Sequence, residues 1–361
     1  VPTAIVSDLH LGIDTGGDVA RLPEVRARLA SALEGADRLV LLGDALELRE
    51  RPLADALEWA RPLFETLGEA MDGRRVTLVP GNHDHQLAEP WLGRARLDAR
   101  SLALEGEWPV GPDDGPAGRL AAWMARAEVT LAYPGLWLRD GVYATHGHYL
   151  DVALTVPRLE SIAASAMARI SGRRAACSSP DDYEAVLAPL YAFFFGLTQG
   201  TQRPLRRGSR LSRTVWAAAN GGAPGRLSSL LLGRVTIPGA VAILNRAGIG
   251  PFHPDISGPE LRRSGLRAMC GVVSSLGIEA EHVIFGHTHR PGPLPEDDAS
   301  EWTAPGGIRL WNTGSWLHEP VFLPSDTPAE SPYWPGTVVR LGDEGPPEVD
   351  NALRGVALGL S

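Results

Sequence analysis

Val76-Thr77-Leu78-Val79-Pro80-Gly81-Asn82-His83-Asp84 runs an apolar strand straight into small and polar groups that no helix cap requires. The same construction recurs on either side of it. Thr3-Ala4-Ile5-Val6 precedes Ser7-Asp8-Leu9-His10, and Leu39-Val40-Leu41-Leu42 precedes Gly43-Asp44. Gly141-Val142-Tyr143-Ala144 leads to His146-Gly147-His148, and His282-Val283-Ile284-Phe285 to Gly286-His287-Thr288-His289. Asn312-Thr313-Gly314-Ser315 is a weaker sixth motif. Ligands in open α/β sheets bind beyond the carboxyl ends of strands, so side chains from five strand ends can converge on one place. Imidazole, carboxylate and a carboxamide oxygen together form the donor set of a metal site. Each motif alone has an ordinary explanation as a turn or a strand end; jointly and in this order they do not.

The spacing between motifs predicts an α/β chain. A helical stripe over Pro23–Leu33 separates the first two strands, and a second over Pro52–Met71 separates the next two, with Pro62 expected to kink or split it. Residues 105–118, rich in Gly, Pro and Asp, read as a surface loop, as does 291–307. From Asp151 the strand rhythm stops: Pro157–Ile170 and Tyr183–Phe195 look helical, and Glu260–Leu276 is a helix feeding the strand before Gly286. The expected organisation is a core of residues 1–150 and 259–345, a mostly helical insertion, or cap, at 151–258, and a C-terminal tail at 346–361.

The chain has 361 residues, an apolar content of 44% and a net charge of -9, all compatible with a globular protein with a buried core. No apolar run approaches the roughly 18 residues that a spanning helix needs. All 34 basic residues are arginine. Residues 151–270 carry fifteen of them against seven acids, so a basic block sits inside an acidic protein and suggests an anionic partner or substrate there. The only cysteines, Cys177 and Cys270, are too few for a disulfide framework and fit a reducing compartment. With no charged-then-apolar leader visible, a cytoplasmic location is expected.

The order Asp-x-His, Gly-Asp, Gly-Asn-His-Asp, His-Gly-His, Gly-His-x-His resembles the calcineurin-like metallophosphoesterase superfamily. Ser7-Asp8-Leu9-His10-Leu11-Gly12 and Trp311-Asn312-Thr313-Gly314-Ser315-Trp316 are most similar to its UDP-diacylglucosamine pyrophosphatase-like branch. The resemblance implies a four-layer α/β/β/α sandwich and two divalent metal ions. By position it implies Asp8, His10 and His289 on the first ion, Asn82, His146 and His287 on the second, and Asp44 bridging. His83 would be the non-ligand histidine over the substrate, with Asp84 orienting its ring. His148 departs from the pattern and is expected beside the ligands rather than among them. Two ions about 3.5 to 4 Å apart can clamp the attacking and leaving oxygens of phosphoryl transfer and acidify a water held between them. The O/N donor set suits Mn, Fe, Co, Ni or Zn without choosing among them, and the resemblance makes Mn the first choice.

The expected function is hydrolysis of a phosphate ester or pyrophosphate in a small-molecule, lipid- or nucleotide-linked substrate. Arg203, Arg206, Arg207, Arg210 and Arg213 stand near Tyr191, Phe193, Phe194 and Phe195. That pairing suits a phosphate head with a greasy tail, or peripheral contact with the anionic inner face of a membrane. The ordinary explanation, aromatic packing beneath a solvated arginine face, carries somewhat more weight. The overall acidity disfavours nucleic acid, which leaves a nuclease as the runner-up; a scaffold that has lost its metals is disfavoured because every ligand position is filled.

Overall fold

The computed structural model describes residues 1–172, 177–200, 237–323 and 327–358. By internal packing the chain falls into two units. The first is Val1–Gly147, Phe194–Pro204 and Glu279–Ser361; the second is His148–Phe193 and Leu205–Ile278, each as far as described.

The first unit is a mixed α/β sandwich. Its strands are β1 (Thr3–Val6), β2 (Arg38–Leu42), β3 (Arg75–Val79), β4 (Glu105–Pro109), β5 (Glu128–Arg139), β6 (Val142–Thr145), β7 (His282–Phe285), β8 (Arg309–Asn312), β9 (Thr337–Leu341) and β10 (Glu348–Asn351). They join in one sheet in the order β10-β9-β1-β2-β3-β5-β6-β7-β8, with β4 on β5. β1, β2 and β3 are mutually parallel, as are β6, β7 and β8. β5 joins the two sets: Glu128–Leu131 pairs parallel with β3, and its far end, from Gly135 to Arg139, pairs antiparallel with β6.

Period-2 alternation assigns the two faces of this sheet. Ile5, Val40, Leu42, Val79, Ala132, Leu136, Ala144, Ile284 and Val339 share one buried cluster, so residues from both halves meet across the fold. Ala4, Val6, Leu39, Leu41, Val76, Leu78 and Leu131 point the other way. There they meet α1 (Pro23–Ala32), α2 (Leu53–Ala70) and α4 (Gly115–Trp123) through Leu29, Phe64, Leu67 and Leu120. The helix α3 (Glu89–Leu97) adds Trp91 and Leu92 to the same core.

The structure corrects several boundaries. Pro62 lies inside a single continuous α2, on its exposed face, where the ring meets no neighbouring element. Residues 105–118 hold β4 and the first turn of α4, because β4 completes the edge of β5 through pairs such as Glu107 with Ala132. The C-terminal segment contains β10, which pairs antiparallel with β9, and Leu353 beyond it is fully buried.

In the second unit the described helices are α5 (Leu159–Ile170), most of α6 (Pro180–Gly200), α7 (Ile237–Arg246) and α8 (Gly258–Ser275). Tyr149 stacks on Tyr183, and its hydroxyl donates to Glu184. Val241 and Phe252 pack with Ile162, Leu244 and Ile249. Among the described residues no helix is long and apolar enough to cross a membrane. Arg203, Arg206, Arg207, Arg210 and Arg213 lie outside the described residues.

Phe64 is completely buried between α2 and the sheet. Replacing it with alanine is expected to cost roughly 3–5 kcal/mol of unfolding free energy, read by denaturant titration, because the ring leaves a cavity in close-packed surroundings. A loss below roughly 1 kcal/mol would mean that this face of α2 is not core.

Candidate metal centre

Every ligand candidate sits one to four residues past the end of a strand: Asp8 and His10 after β1, Asp44 after β2, Asn82 after β3, His146 after β6, His287 and His289 after β7. At each exit the chain must turn sharply enough to point a side chain back over the sheet. Asp8, His10, Asp44, His287 and His289 do so in the left-handed region; Ala99 is the only other non-glycine residue there among those described. Each such residue costs of order 1–3 kcal/mol. Glycine fills the tightest places. A Cβ at Gly43 would lie 2.1 Å from His146 Nδ1, and one at Gly81 would lie 2.3 Å from Asp44 Oδ1.

Backbone hydrogen bonds hold these turns together. Asp8 N donates to Gly43 O, His10 N to Asp44 O and Leu11 N to Ala45 O, so the loops after β1 and β2 zip to each other. The Asp84 carboxylate accepts from the amides of Gly81, Asp44, Ala45 and Leu46 at 2.7–3.2 Å. Burial and the neighbouring Asp44 push Asp84 up to about 6 even so. Asn312 donates to Gly286 O and Thr288 Oγ1, and Thr313 Oγ1 lies 2.6 Å from Ser7 Oγ. The sixth motif is thus a buckle on the ligand loops.

The seven positions converge as three overlapping groups: Asp8, His10 and His289; His10, Asp44 and His83; Asp44, His146 and His287. In each, the nearest donor atoms lie within 4.8 Å of one another. Asp44 Oδ2 is 3.1 Å from His146 Nε2 and 3.8 Å from His10 Nε2, while Oδ1 accepts the His83 N–H at 2.8 Å. One oxygen of Asp44, not two, faces both halves of the site.

The donor set fits cations. His146 Nδ1 donates to Leu42 O at 2.9 Å, and His10 Nδ1 donates to Glu47 at 3.1 Å. Each ring, when neutral, therefore offers an Nε2 lone pair, and Nε2 of His10 faces His289 Nε2 across 3.1 Å. Asp8 Oδ1 is buried without a hydrogen-bond partner, whereas Oδ2 is held by Ser7 Oγ and by His287 N–H. The Asn82 carboxamide oxygen is turned toward Asp44 Oδ2, His287 Nδ1 and His146 Nε2 at 3.1–3.3 Å. With the imidazoles neutral, acceptors face acceptors there, which a cation would reconcile; the opposite amide orientation would instead let that oxygen accept from Arg49 Nη1.

Two residues that the motifs do not contain complete the site. Glu47, fully buried, accepts from both His10 Nδ1 and His83 Nδ1, the latter at 2.8 Å. It is Glu47, not Asp84, that orients the His83 ring. Burial opposes ionisation of Glu47, but the charges and hydrogen bonds of His83 and His10 hold it well below the usual carboxylate range. Its sequence signal was an acid embedded in the apolar run Ala45-Leu46-Glu47-Leu48, three residues past Asp44. Arg49 places Nη1 3.2 Å from His83 Nε2. In the second unit, His148 packs against Tyr149 and Tyr191. His85 opens a short 3-10 turn, with its ring on Tyr133.

Residues 1–170, just under half of the chain, match the family model described as calcineurin-like phosphoesterase. The protein is a metal-dependent phosphoester hydrolase, and its three overlapping Asp/His groups fit a metal site. No curated protein sequence matches it. Among solved structures it is similar to a dimetal phosphatase from Danio rerio, at 12% identity over 97% of this chain and 98% of that one, with a TM-score of 0.33. It is also similar to a cold-active protein-tyrosine phosphatase from a psychrophilic Shewanella species, at 12% identity over 95% and 75%, with a TM-score of 0.28. Likenesses so distant bear on neither substrate nor mechanism.

In the cation-free protein, burial alone would lower His146, but Asp44, Asp8 and the Leu42 carbonyl push it up to about 9. A cation needs the neutral ring, so uptake at pH 7 displaces a proton. Affinity for Mn is expected to rise with pH, by about tenfold per unit for each displaced proton, until roughly pH 9. Calorimetry in buffers of different ionisation enthalpy counts the protons; an affinity flat between pH 6 and 9 would contradict this electrostatic picture.

Proposed function

We propose that Asp8, His10, Asp44 and His289 hold one divalent ion and that Asp44, Asn82, His146 and His287 hold the other, with manganese as the working metal. The observation that carries this reading is the placement of Asp44 Oδ2 between His10 and His146. Bound there, the ions supply Lewis acidity toward phosphoryl oxygens and lower the pKa of a water.

The chain's own residues do the rest. Glu47 accepts a hydrogen bond from His83 Nδ1 and so fixes the ring with Nε2 directed away from Glu47; only as the imidazolium, with both nitrogens protonated, would that Nε2 pass a proton to the departing oxygen. Arg49, next to that nitrogen, offers a fixed positive charge and planar donors to phosphoryl oxygens. Asp84 ties the turn of Asn82 and His83 to that of Asp44 and takes no part in proton transfer. Burial of Asp8, Asp44, Asn82 and His146 keeps water from competing for these donors.

The substrate in this reading is a phosphate ester or pyrophosphate in a small molecule or lipid, in keeping with the Ser7–Gly12 and Trp311–Trp316 resemblance to the UDP-diacylglucosamine pyrophosphatase-like branch. The second unit, which begins directly after the His146 turn, selects it. Contact of this arginine-rich part of the sequence with an anionic membrane face belongs to the same proposal.

Asp44→Ala is expected to lose both ions and all activity toward aryl phosphate and diaryl phosphate with added Mn. His83→Ala should keep its metal and lose turnover by about 10²–10⁴-fold, the range for a removed proton donor. Metal analysis and rates on the two variants check this; a metal-replete, active Asp44→Ala protein would refute the assignment.

A further inference from the structure

The motifs account for the ligands and for His83, and Arg49, which reaches His83 from outside them, also lies against a later helix. Its support comes from α6, some 145 residues later in the chain. The end of that helix, from Phe194 onward, belongs to the first unit. There the Arg49 guanidinium lies over the Phe194 ring, 4.7 Å from its centroid. Thr198, fully buried, donates its hydroxyl to Arg49 O at 2.8 Å. One residue on, Gln199 Oε1 accepts the N–H of Leu53 at 3.0 Å, at the first turn of α2, where amides have no helical partner. Phe195 packs against the main core beside them. A single helical turn thus grips both ends of the segment Arg49–Leu53.

An arginine on a flexible stem loses rotamer freedom when it binds an anion, and that loss weakens binding. Stacking the guanidinium on an aromatic face beforehand removes most of the loss and keeps its plane fixed edge-on to an incoming oxygen. Arg49 Nη1 also lies 3.0 Å from the side-chain amide of Asn82. With the Asn82 oxygen turned inward to a cation, its NH₂ and the guanidinium become two donors facing each other. An anionic oxygen beside the pair, off the line that joins them, can accept from both.

We infer that the end of α6, through Phe194 and Thr198, is a positioning element of the active site: it presets Arg49 beside Asn82 and His83 to receive a phosphoryl oxygen. This inference rests on the phosphoesterase reading above. Neither residue touches the reacting atoms, so both act through Arg49.

The test uses the full-length, Mn-loaded protein, with inorganic phosphate binding read by calorimetry beside the kinetics of aryl phosphate hydrolysis. Phe194→Leu is expected to raise KM and to weaken phosphate binding by about three- to tenfold, the scale of one cation–π contact, with Mn content unchanged. Phe194→Trp, which keeps the stack, should restore both. In an Arg49→Gln background Phe194→Leu should add nothing further, because the partner it acts through is gone. Should Phe194→Leu not fold, Thr198→Val carries the same expectation, since it removes the hydroxyl and keeps the side-chain shape. Unchanged phosphate affinity in Phe194→Leu overturns the inference; so does an equal loss in Phe194→Trp, or additivity with Arg49→Gln. A wild-type protein that binds phosphate tightly but cleaves no ester would sink the hydrolase reading while leaving the positioning test intact.

Discussion

Asp44 Oδ2 is the atom on which the rest depends. It is buried, it stands 3.1 Å from one imidazole nitrogen and 3.8 Å from another, and the two belong to opposite halves of a folded sheet. A carboxylate in that position cannot be left as it is, because buried charge without a partner is expensive. In the cation-free protein the compensation comes from protons: burial works against His10 and His146, yet the carboxylates around them raise both. A divalent ion offers the same compensation with more charge and without needing the imidazole nitrogens as donors. Metal uptake at this site would therefore displace protons.

The geometry is costly to the backbone, and the surrounding hydrogen bonds explain how it persists. Five ligand residues occupy left-handed conformations that ordinary side chains disfavour. Opposing them are the zipper between the Asp8 and Asp44 loops, the four amides on Asp84 and the Asn312 clasp on the Gly286 turn. A polar residue next to a ligand is thus here more often a brace than a reactant, and Asp84 and Asn312 are instances. Glu47 is different in kind. By bonding Nδ1 of both His10 and His83, it sets the tautomer of a metal-facing ring and of the non-ligand histidine from one carboxylate.

What the sequence disclosed divides along physical lines. β1, β2, β3, β6 and β7 were legible because each is a short apolar run ending in small or polar groups, and those endings carry the ligands. β5 was not, since Pro134-Gly135 interrupts its twelve residues at the place where it passes from one half of the sheet to the other. β4 and β10 were read as loop and tail because both lie at the margins of the sheet, partly exposed and without an apolar signature. Within the site, residues in motifs could be named, but Glu47 and Arg49 could not. Their roles follow from what they touch across the fold, and no local pattern encodes that. Arg49 is the extreme case, since the ring beneath it, Phe194, comes some 145 residues later in the sequence.

The course of β5 also explains why the ligands are distributed as they are. Through it the sheet is divided into a set headed by β1, β2 and β3 and a set headed by β6, β7 and β8. The first set supplies Asp8, His10, Asp44 and Asn82; the second supplies His146, His287 and His289. Each proposed ion draws ligands from both sets, and Asp44 is common to the two. Neither half could hold either ion alone, so no such site exists in a partly folded chain. Cation binding free energy is then folding free energy as well. It acts across the seam between the two halves, where the apolar contacts of Ile5, Val40, Ala144 and Ile284 end and the polar turns begin. On this view bound ions would add to the hydrogen bonds that already hold the strained turns.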